Sequence, residues 1–330
     1  MRVTIKEVAA EAGVSYQVVS AILGNCSYAR ASETTRRKVR EAAARLGYVP
    51  NISARILQGR ASGMIGVLID PLAAANKFNM LFELERAAVS RNCRLLVSEA
   101  HDNPGRLKEA CREMCQYGVD GIIALAHTYP GTGSLLDGFD EKVPFVPVWD
   151  ILPGNYSAVV NDTAAGIAAA VIHLQHSDYK HIVMLTSDRL AYPGALQRIT
   201  GFRKVLPDNR IYSYDTSDGQ DLKCELAAVV TKILSDGADA IVCYNDFTAA
   251  AVIRELRKNK VRVPEDMGIT GFDDSPFCTV LDPPLTSVAP DSGAVAENAF
   301  KLLEQRMAGK RENVYITVPP HLKIRESSVR

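Results

Sequence analysis

Two rhythms of apolar and polar positions divide the chain. In the first sixty residues, apolar side chains recur three and four apart: Ile5, Val8 and Ala9, then Val14, Val19, Ile22 and Leu23, then the run ETTRRKVREAAARLG ending at Gly47. That spacing belongs to short amphipathic helices. Thr4-Ile5-Lys6-Glu7 has the capping-box pattern, in which Thr4 accepts from the third helical amide while Glu7 reaches back. Gly13-Val14 supplies a sharp turn, and Ser15 caps a second helix from Tyr16 to Leu23. Tyr16, Gln17, Ser20 and Ala21 are then left for the outside. A third helix starts after Ser32, with Glu33 near the positive end of its dipole. Beyond Tyr48-Val49-Pro50-Asn51 lies ISARILQ, closed by Gly59 and too short to be a stable helix alone.

From Met64 the rhythm changes. Short apolar runs (MIGVLI, CRLLVS, VDGIIAL, VPFVPVW, HIVMLT, DAIVCY, MGITGF) alternate with helical periods (KFNMLFELERAAVSR, RLKEACREMCQYG, TAAGIAAAVIHLQH, LKCELAAVVTKILSDG, DFTAAAVIRELRKN). Such alternation predicts parallel, doubly wound sheets covered on both faces. The segment is too long for one sheet, so two similar lobes are expected. Ligands of such sheets sit beyond the C-terminal strand ends, which in two lobes face each other.

Charge sharpens this division. The chain has no net charge, yet residues 1–60 carry +6 and the remaining 270 carry −6. A basic head on an acidic body points to a polyanion partner for the head alone. Seven scattered cysteines without a C-x-x-C pair read as reduced thiols, and Cys111 and Cys115, one helical turn apart, as small core residues. His173, His176 and His181 lack carboxylates at ligating spacing, so no metal is expected. No nucleophile–base pair or phosphate loop supports an enzyme, and no cofactor is implied; Gly131-Thr132-Gly133 lacks the strand–turn–helix context of a dinucleotide site. An early acid and the lack of a continuous apolar run in MRVTIKEVAAEAG argue against a secretory signal, and no membrane span is seen. A cytoplasmic location is expected.

Two short helices joined by a glycine-containing turn constitute a helix-turn-helix, whose second helix enters the major groove. With VTIKEVAAEAGVS, TTRRKVREAAARLGYVPN and AR.L in order, this head resembles that of the lac repressor (LacI/GalR) family. The resemblance implies a sequence-specific DNA-binding transcriptional regulator, a repressor, with domains at 1–48 (head), 49–60 (hinge helix and linker) and 61–330 (effector binding). It places Tyr16 and Gln17 against base edges, where a glutamine contacts adenine through both donor and acceptor. Ser15, Ser20, Thr4, Asn25 and Arg36 would meet phosphates, and Asn51 also falls on the DNA side. Leu57 would wedge into the minor groove at the operator centre, with Ala54 and Arg55 supporting the hinge. Ala21 and Val18 depart from the arginine and threonine usual in the family, and 26–31 is a longer loop.

The body resembles the family's two-lobed periplasmic-binding-protein-like sensor: IGVLID, YGVDGII, VVNDTAAG, RITGF, YNDFTAA, RVPEDMGITGFDD, PPLTSV and LKIRESS occur in the expected order. The resemblance implies an N-lobe of about 61–160 and 291–319 and a C-lobe of about 161–290 and 320–330. Asp150, Arg198, Asn245 and Asp273 are expected at strand ends where the family binds its effector. Two carboxylates, a guanidinium and an amide suit a vicinal diol, hence a sugar or sugar derivative. Asp70, Phe78, His127 and Phe247 are rim candidates. Asp162 and Asp274 read as pins for the lobe crossover and a turn, and Trp149 as core. No heptad helix follows IRESS, so a homodimer on a pseudo-palindromic duplex is expected. The rival reading, a solute-binding protein of a sugar transporter, shares the body but has no use for the basic head.

Overall fold

The computed structural model describes residues 3–24, 31–49, 56–57, 59–69, 75–99, 104–125, 143–149, 156–187, 193–214 and 222–330. The chain forms two compact units, Met1–Ser62 and Gly63–Arg330.

The first unit holds α1 (Ile5–Ala12), α2 (Tyr16–Leu23) and α3 (Glu33–Leu46). Each start is fixed by the residue expected. Thr4 and Glu7 close the capping box, Ser15 accepts from Val18 N–H, and Ser32 accepts from Thr35 N–H. Helices α1 and α3 end on Gly13 and Gly47, whose φ values of 64° and 63° are left-handed and need no Cβ. Val8, Val19, Ile22, Val39, Ala42 and Ala43 form the small buried core, with Val14 and Leu23 half-buried around it. The Arg60 guanidinium donates to the Gly24 carbonyl at the end of α2, where the dipole is negative.

The second unit contains two six-stranded sheets. The first has the order β11-β5-β4-β3-β1-β2, with β1 Met64–Ile69, β2 Arg94–Glu99, β3 Gly121–Leu125, β4 Phe145–Trp149, β5 Ala158–Asn161 and β11 Tyr315–Val318. Helices α4 (Ala75–Ser90), α5 (Pro104–Gln116) and α10 (Ser292–Met307) accompany it. The second has the order β12-β10-β9-β8-β6-β7, with β6 Ile182–Ser187, β7 Ile211–Tyr214, β8 Ala240–Cys243, β9 Gly268–Phe272, β10 Thr286–Ala289 and β12 His321–Lys323. Its helices are α6 (Thr163–His176), α7 (Pro193–Val205), α8 (Leu222–Ser235) and α9 (Asp246–Lys258). All pairings are parallel except β10 with β12, an antiparallel edge on an otherwise parallel sheet.

The central strands are buried on both faces, which is why they read as unbroken apolar runs. Trp149 lies in the core of the first lobe. Of the cysteine pair, only Cys111 is core, whereas Cys115 is exposed, because α5 turns that face to solvent. Burial pushes the Cys111 thiol up to about 12, so it stays protonated.

The chain passes between the lobes after β5, after β10 and after β11. Asp162 pins the first passage: its N–H donates to Val318 O at 2.8 Å, and its carboxylate caps α6 by accepting from Ala165 N–H at 2.9 Å. Asp291 caps α10 in the same way, accepting from Ala294 N–H at 2.8 Å. Asp274, at the turn after β9, accepts from Arg325 Nη2 at 2.7 Å.

Candidate DNA-reading face and effector cleft

In the first unit, α2 buries Val19 and Ile22 and turns Tyr16, 52 % exposed, and Gln17 to solvent. The helix that carries the expected reading residues therefore packs through its opposite face. Ser20 and Ala21 are half-buried along its side, as is Arg36 on α3. The Thr4 and Ser15 side chains serve as caps, Thr4 also donating to the Glu7 carboxylate at 2.8 Å. The Thr4 backbone and side-chain donors hold that carboxyl below the usual range. Leu57 is 87 % exposed. Asn25, Asn51, Ala54 and Arg55 lie outside the described residues.

In the second lobe, three of the expected effector residues come together beyond the ends of β8 and β9. Arg198 is on α7 rather than at a strand end, because residues 193–205 are helical, a run that the apolar rhythm alone does not mark. Its side chain is 4 % exposed. The guanidinium lies against the Tyr244 and Phe272 rings, 4.5 and 4.2 Å from their centroids. It donates from Nε to Tyr244 O and from Nη1 to Gly194 O, each at 3.0 Å. Tyr244 precedes Asn245 and Phe272 precedes Asp273, so a single cation organises the approaches to both.

Asn245 caps α9. Its Oδ1 accepts from Thr248 N–H and Thr248 Oγ1, each at 2.9 Å, so toward a ligand it offers its NH2 group. Asp273 is half-buried with φ 106°, a left-handed value that non-glycine residues rarely adopt. Phe247, 63 % exposed, sits on the first turn of α9. On the first lobe, Asp70, His127 and Asp150 lie outside the described residues, as does the side chain of Phe78.

Sequence reasoning missed three features. Tyr244 and Phe272 read as ordinary strand-end apolar residues, yet they sandwich the arginine. Asp246 is wholly buried beside Asn245. Asn161, 3 % exposed at the first passage between lobes, has an Oδ1 with no hydrogen-bond partner among the described residues. The adjacent polar pairs YND and NDT were the only signal for the last two.

Comparison with known proteins agrees with this geometry. Residues 4–51 match the family model of bacterial regulatory proteins, lacI family. Residues 171–328 match the periplasmic binding protein-like domain. The chain thus carries a lacI-family head domain followed by a periplasmic binding protein-like domain. A transcriptional repressor, PurR of Mannheimia succiniciproducens, is 26 % identical over 98 % of both chains. A transcriptional regulator, DegA of Bacillus subtilis, is 27 % identical over 99 % of this chain and 98 % of its own. A lac repressor dimer bound to operator and the anti-inducer ONPF superposes with a TM-score of 0.86 at 24 % identity, covering 100 % of both chains. The regulator CelR in complex with cellobiose gives 0.69 at 24 % identity, over 99 % of this chain and 100 % of that one. The protein is thus a DNA-binding transcriptional repressor with a ligand-binding domain, and its relatives are regulators rather than enzymes. Among the described residues, no helix is long and apolar enough to cross a membrane.

Proposed function

We propose that two copies of the chain bind a pseudo-palindromic operator, and that a small polar effector held between the lobes sets how tightly. The observation that carries the DNA half is the solvent-facing first turn of α2: Tyr16 and Gln17 are exposed while Val19 and Ile22 anchor the helix from behind. Gln17 reads one base by paired hydrogen bonds, worth about 1–3 kcal/mol of discrimination. Ala21 offers only a methyl where the family usually has arginine, so that base is read by apolar contact, as with a thymine methyl. The exposed Leu57 is the wedge for the operator centre.

The effector is a sugar or sugar derivative. The immobilised Arg198 fork, the Asn245 amide and the Asp273 carboxylate give fixed donors beside an acceptor, the pairing that adjacent hydroxyls need. Asp150, Asp70 and His127 would supply the first-lobe side, with Phe78 or Phe247 against a ring face. A ligand that favours the DNA-competent lobe arrangement acts as corepressor, and one that favours the other acts as inducer.

The test pairs a thermal-shift screen of sugars, polyols, nucleobases and phosphosugars with gel shifts on full-length protein. A compound that stabilises the protein should change operator affinity about 5- to 150-fold, the range of a coupling energy of about 1–3 kcal/mol. Arg198→Ala should abolish that response. A normal response in Arg198→Ala would remove Arg198 from the site, and operator binding indifferent to every stabilising compound would refute effector control.

A further inference from the structure

Asp246 is the first residue of α9, next to the cap Asn245, and its side chain has no exposure to water. A carboxylate in that position persists only where donors replace its lost hydration. Both of its strong donors serve the same loop. Ser275 N–H donates to Oδ2 at 2.6 Å, and the Ser287 hydroxyl donates to Oδ1 at 2.5 Å. Ser287 Oγ in turn accepts from Asp274 N–H at 3.0 Å. Two consecutive backbone amides after β9 thus end on Asp246, one directly and one through a single hydroxyl.

The loop is one that needs holding. Asp273 and Asp274 are consecutive non-glycine residues at φ 106° and 49°, and such conformations persist only where the surroundings over-determine them. Gly271 leaves the space, since a Cβ there would collide with Asp246 Oδ1. On the other side, Arg325 Nη2 holds the Asp274 carboxylate.

We infer that Asp246 is a positioning residue of the effector site, which locks 273–275 so that Asp273 is presented in one orientation beyond β9. It touches no effector itself. The inference rests on the assignment of Asp273 to that site made above. Burial pushes the Asp246 carboxyl up, while the Ser275 and Ser287 donors oppose this. The lock is made by hydrogen bonds at fixed points, and the isosteric amide keeps the shape and the acceptor facing Ser275. In the variant Asp246→Asn, the introduced amide would accept from Ser275 with its carbonyl and donate to Ser287 with its NH2. Alanine can do neither.

The experiment follows hydrogen–deuterium exchange in the full-length protein and its Asp246→Ala, Ser287→Ala and Asp246→Asn variants. Asp274 and Ser275 amides should exchange at least tenfold faster in Asp246→Ala and measurably faster in Ser287→Ala. They should stay within about twofold of the original in Asp246→Asn, with β8 and β9 amides keeping their protection throughout. Should Asp246→Ala fail to fold, Ser287→Ala, which keeps the carboxylate, carries the test. Unchanged loop amides, or equal loss of protection across the whole lobe, would overturn the inference. Calorimetry with D-ribose and cellobiose as probes separates it from the assignment on which it rests. A probe that binds the original protein should bind at least tenfold more weakly to Asp246→Ala or Ser287→Ala, and normally to Asp246→Asn. Equal binding to all forms would overturn the positioning role. If neither probe binds the original protein while the loop loosens as described, the sugar assignment falls and the loop lock stands.

Discussion

The two lobes share one strand order and differ in how polar groups reinforce it. In the first lobe, the buried Arg306 of α10 donates to Ser157 Oγ and Asn313 Oδ1, each at 2.7 Å, but the ion pairs lie at the rim. Arg91, after α4, reaches Glu297 at 2.9 Å and Glu304 at 2.7 Å on α10, and covers the Phe300 ring at 5.1 Å. The Glu297 bond and, after the opposing effect of burial, the Glu304 bond raise the arginine further. Both glutamates are nevertheless about half exposed, so water competes for them. In the second lobe, the polar groups are inside. Thr286 on β10 has no exposure; its hydroxyl accepts from Arg325 N–H at 2.8 Å, donates to Arg325 O at 2.9 Å and meets Ser328 Oγ at 2.6 Å. Its neighbour Ser287 points to the opposite face and meets Asp246. Strand β10 is thus bonded through both faces, to the loop that carries Asp273 and to the C-terminal segment. A buried network fixes one geometry, because every group left unpaired would carry its full desolvation penalty. A rim ion pair tolerates many geometries. The second lobe is therefore the pre-shaped half of the proposed effector cleft.

The sharpest way to break this comparison is Thr286→Val. It keeps shape but takes the partner from both the Arg325 N–H and the Arg325 carbonyl and leaves Ser328 only its His173 bond, so a loss of about 1–3 kcal/mol in denaturant unfolding is expected. Arg91→Ala should cost less, about 1 kcal/mol or below, since its ion pairs are at the surface. Reversal of that order would remove the distinction between the lobes.

A smaller effect should appear in acid. The His173 ring on α6 bonds Ser328 Oγ at 2.7 Å, extending the buried network. Burial lowers its pKa below the ordinary 6.5, opposed by the Ser328 bond and aided by the nearby His176. The unfolded chain therefore takes up a proton that the folded chain resists. Stability contributed by neutral His173 is intact above about pH 6.5 and is lost as pH falls through that value toward the lower folded one. His173→Gln should flatten the decline of the melting temperature between about pH 7 and 5. An unaltered slope would place the titrating group elsewhere.

The lobes also differ in how legible they were. Most strands buried on both faces announced themselves as apolar runs, MIGVLI at Met64–Ile69 among them, but the four-residue Ala158–Asn161 and Thr286–Ala289, which carry polar residues, did not. Of the edge strands, β2 showed as CRLLVS, whereas IYSY alternates buried and exposed positions over only four residues and His321–Lys323 is shorter still. Helices α7 and α10 were missed because their polar faces interrupt the rhythm. Arg198, read as a strand-end residue, belongs to one of them. Its placement beside those strand ends nevertheless survives, since α7 delivers the guanidinium there by stacking it on Tyr244 and Phe272. The head was legible nearly residue by residue, because caps and glycine stops are local chemistry: Thr4, Ser15, Ser32, Gly13 and Gly47 each act where the sequence alone puts them. Asp246 was not legible, since nothing local distinguishes a solvated helix-start aspartate from one whose partners lie 29 and 41 residues away.

The central claim is that the open turn of α2 reads bases, and selection from randomised duplexes tests it most directly. Full-length protein should recover a two-fold symmetric site, and Gln17→Ala should recover the same site with the preference relaxed at one base pair in each half, worth about 1–3 kcal/mol there. An identical preference at every position after Gln17→Ala, or no symmetric site from the unmodified protein, would contradict it.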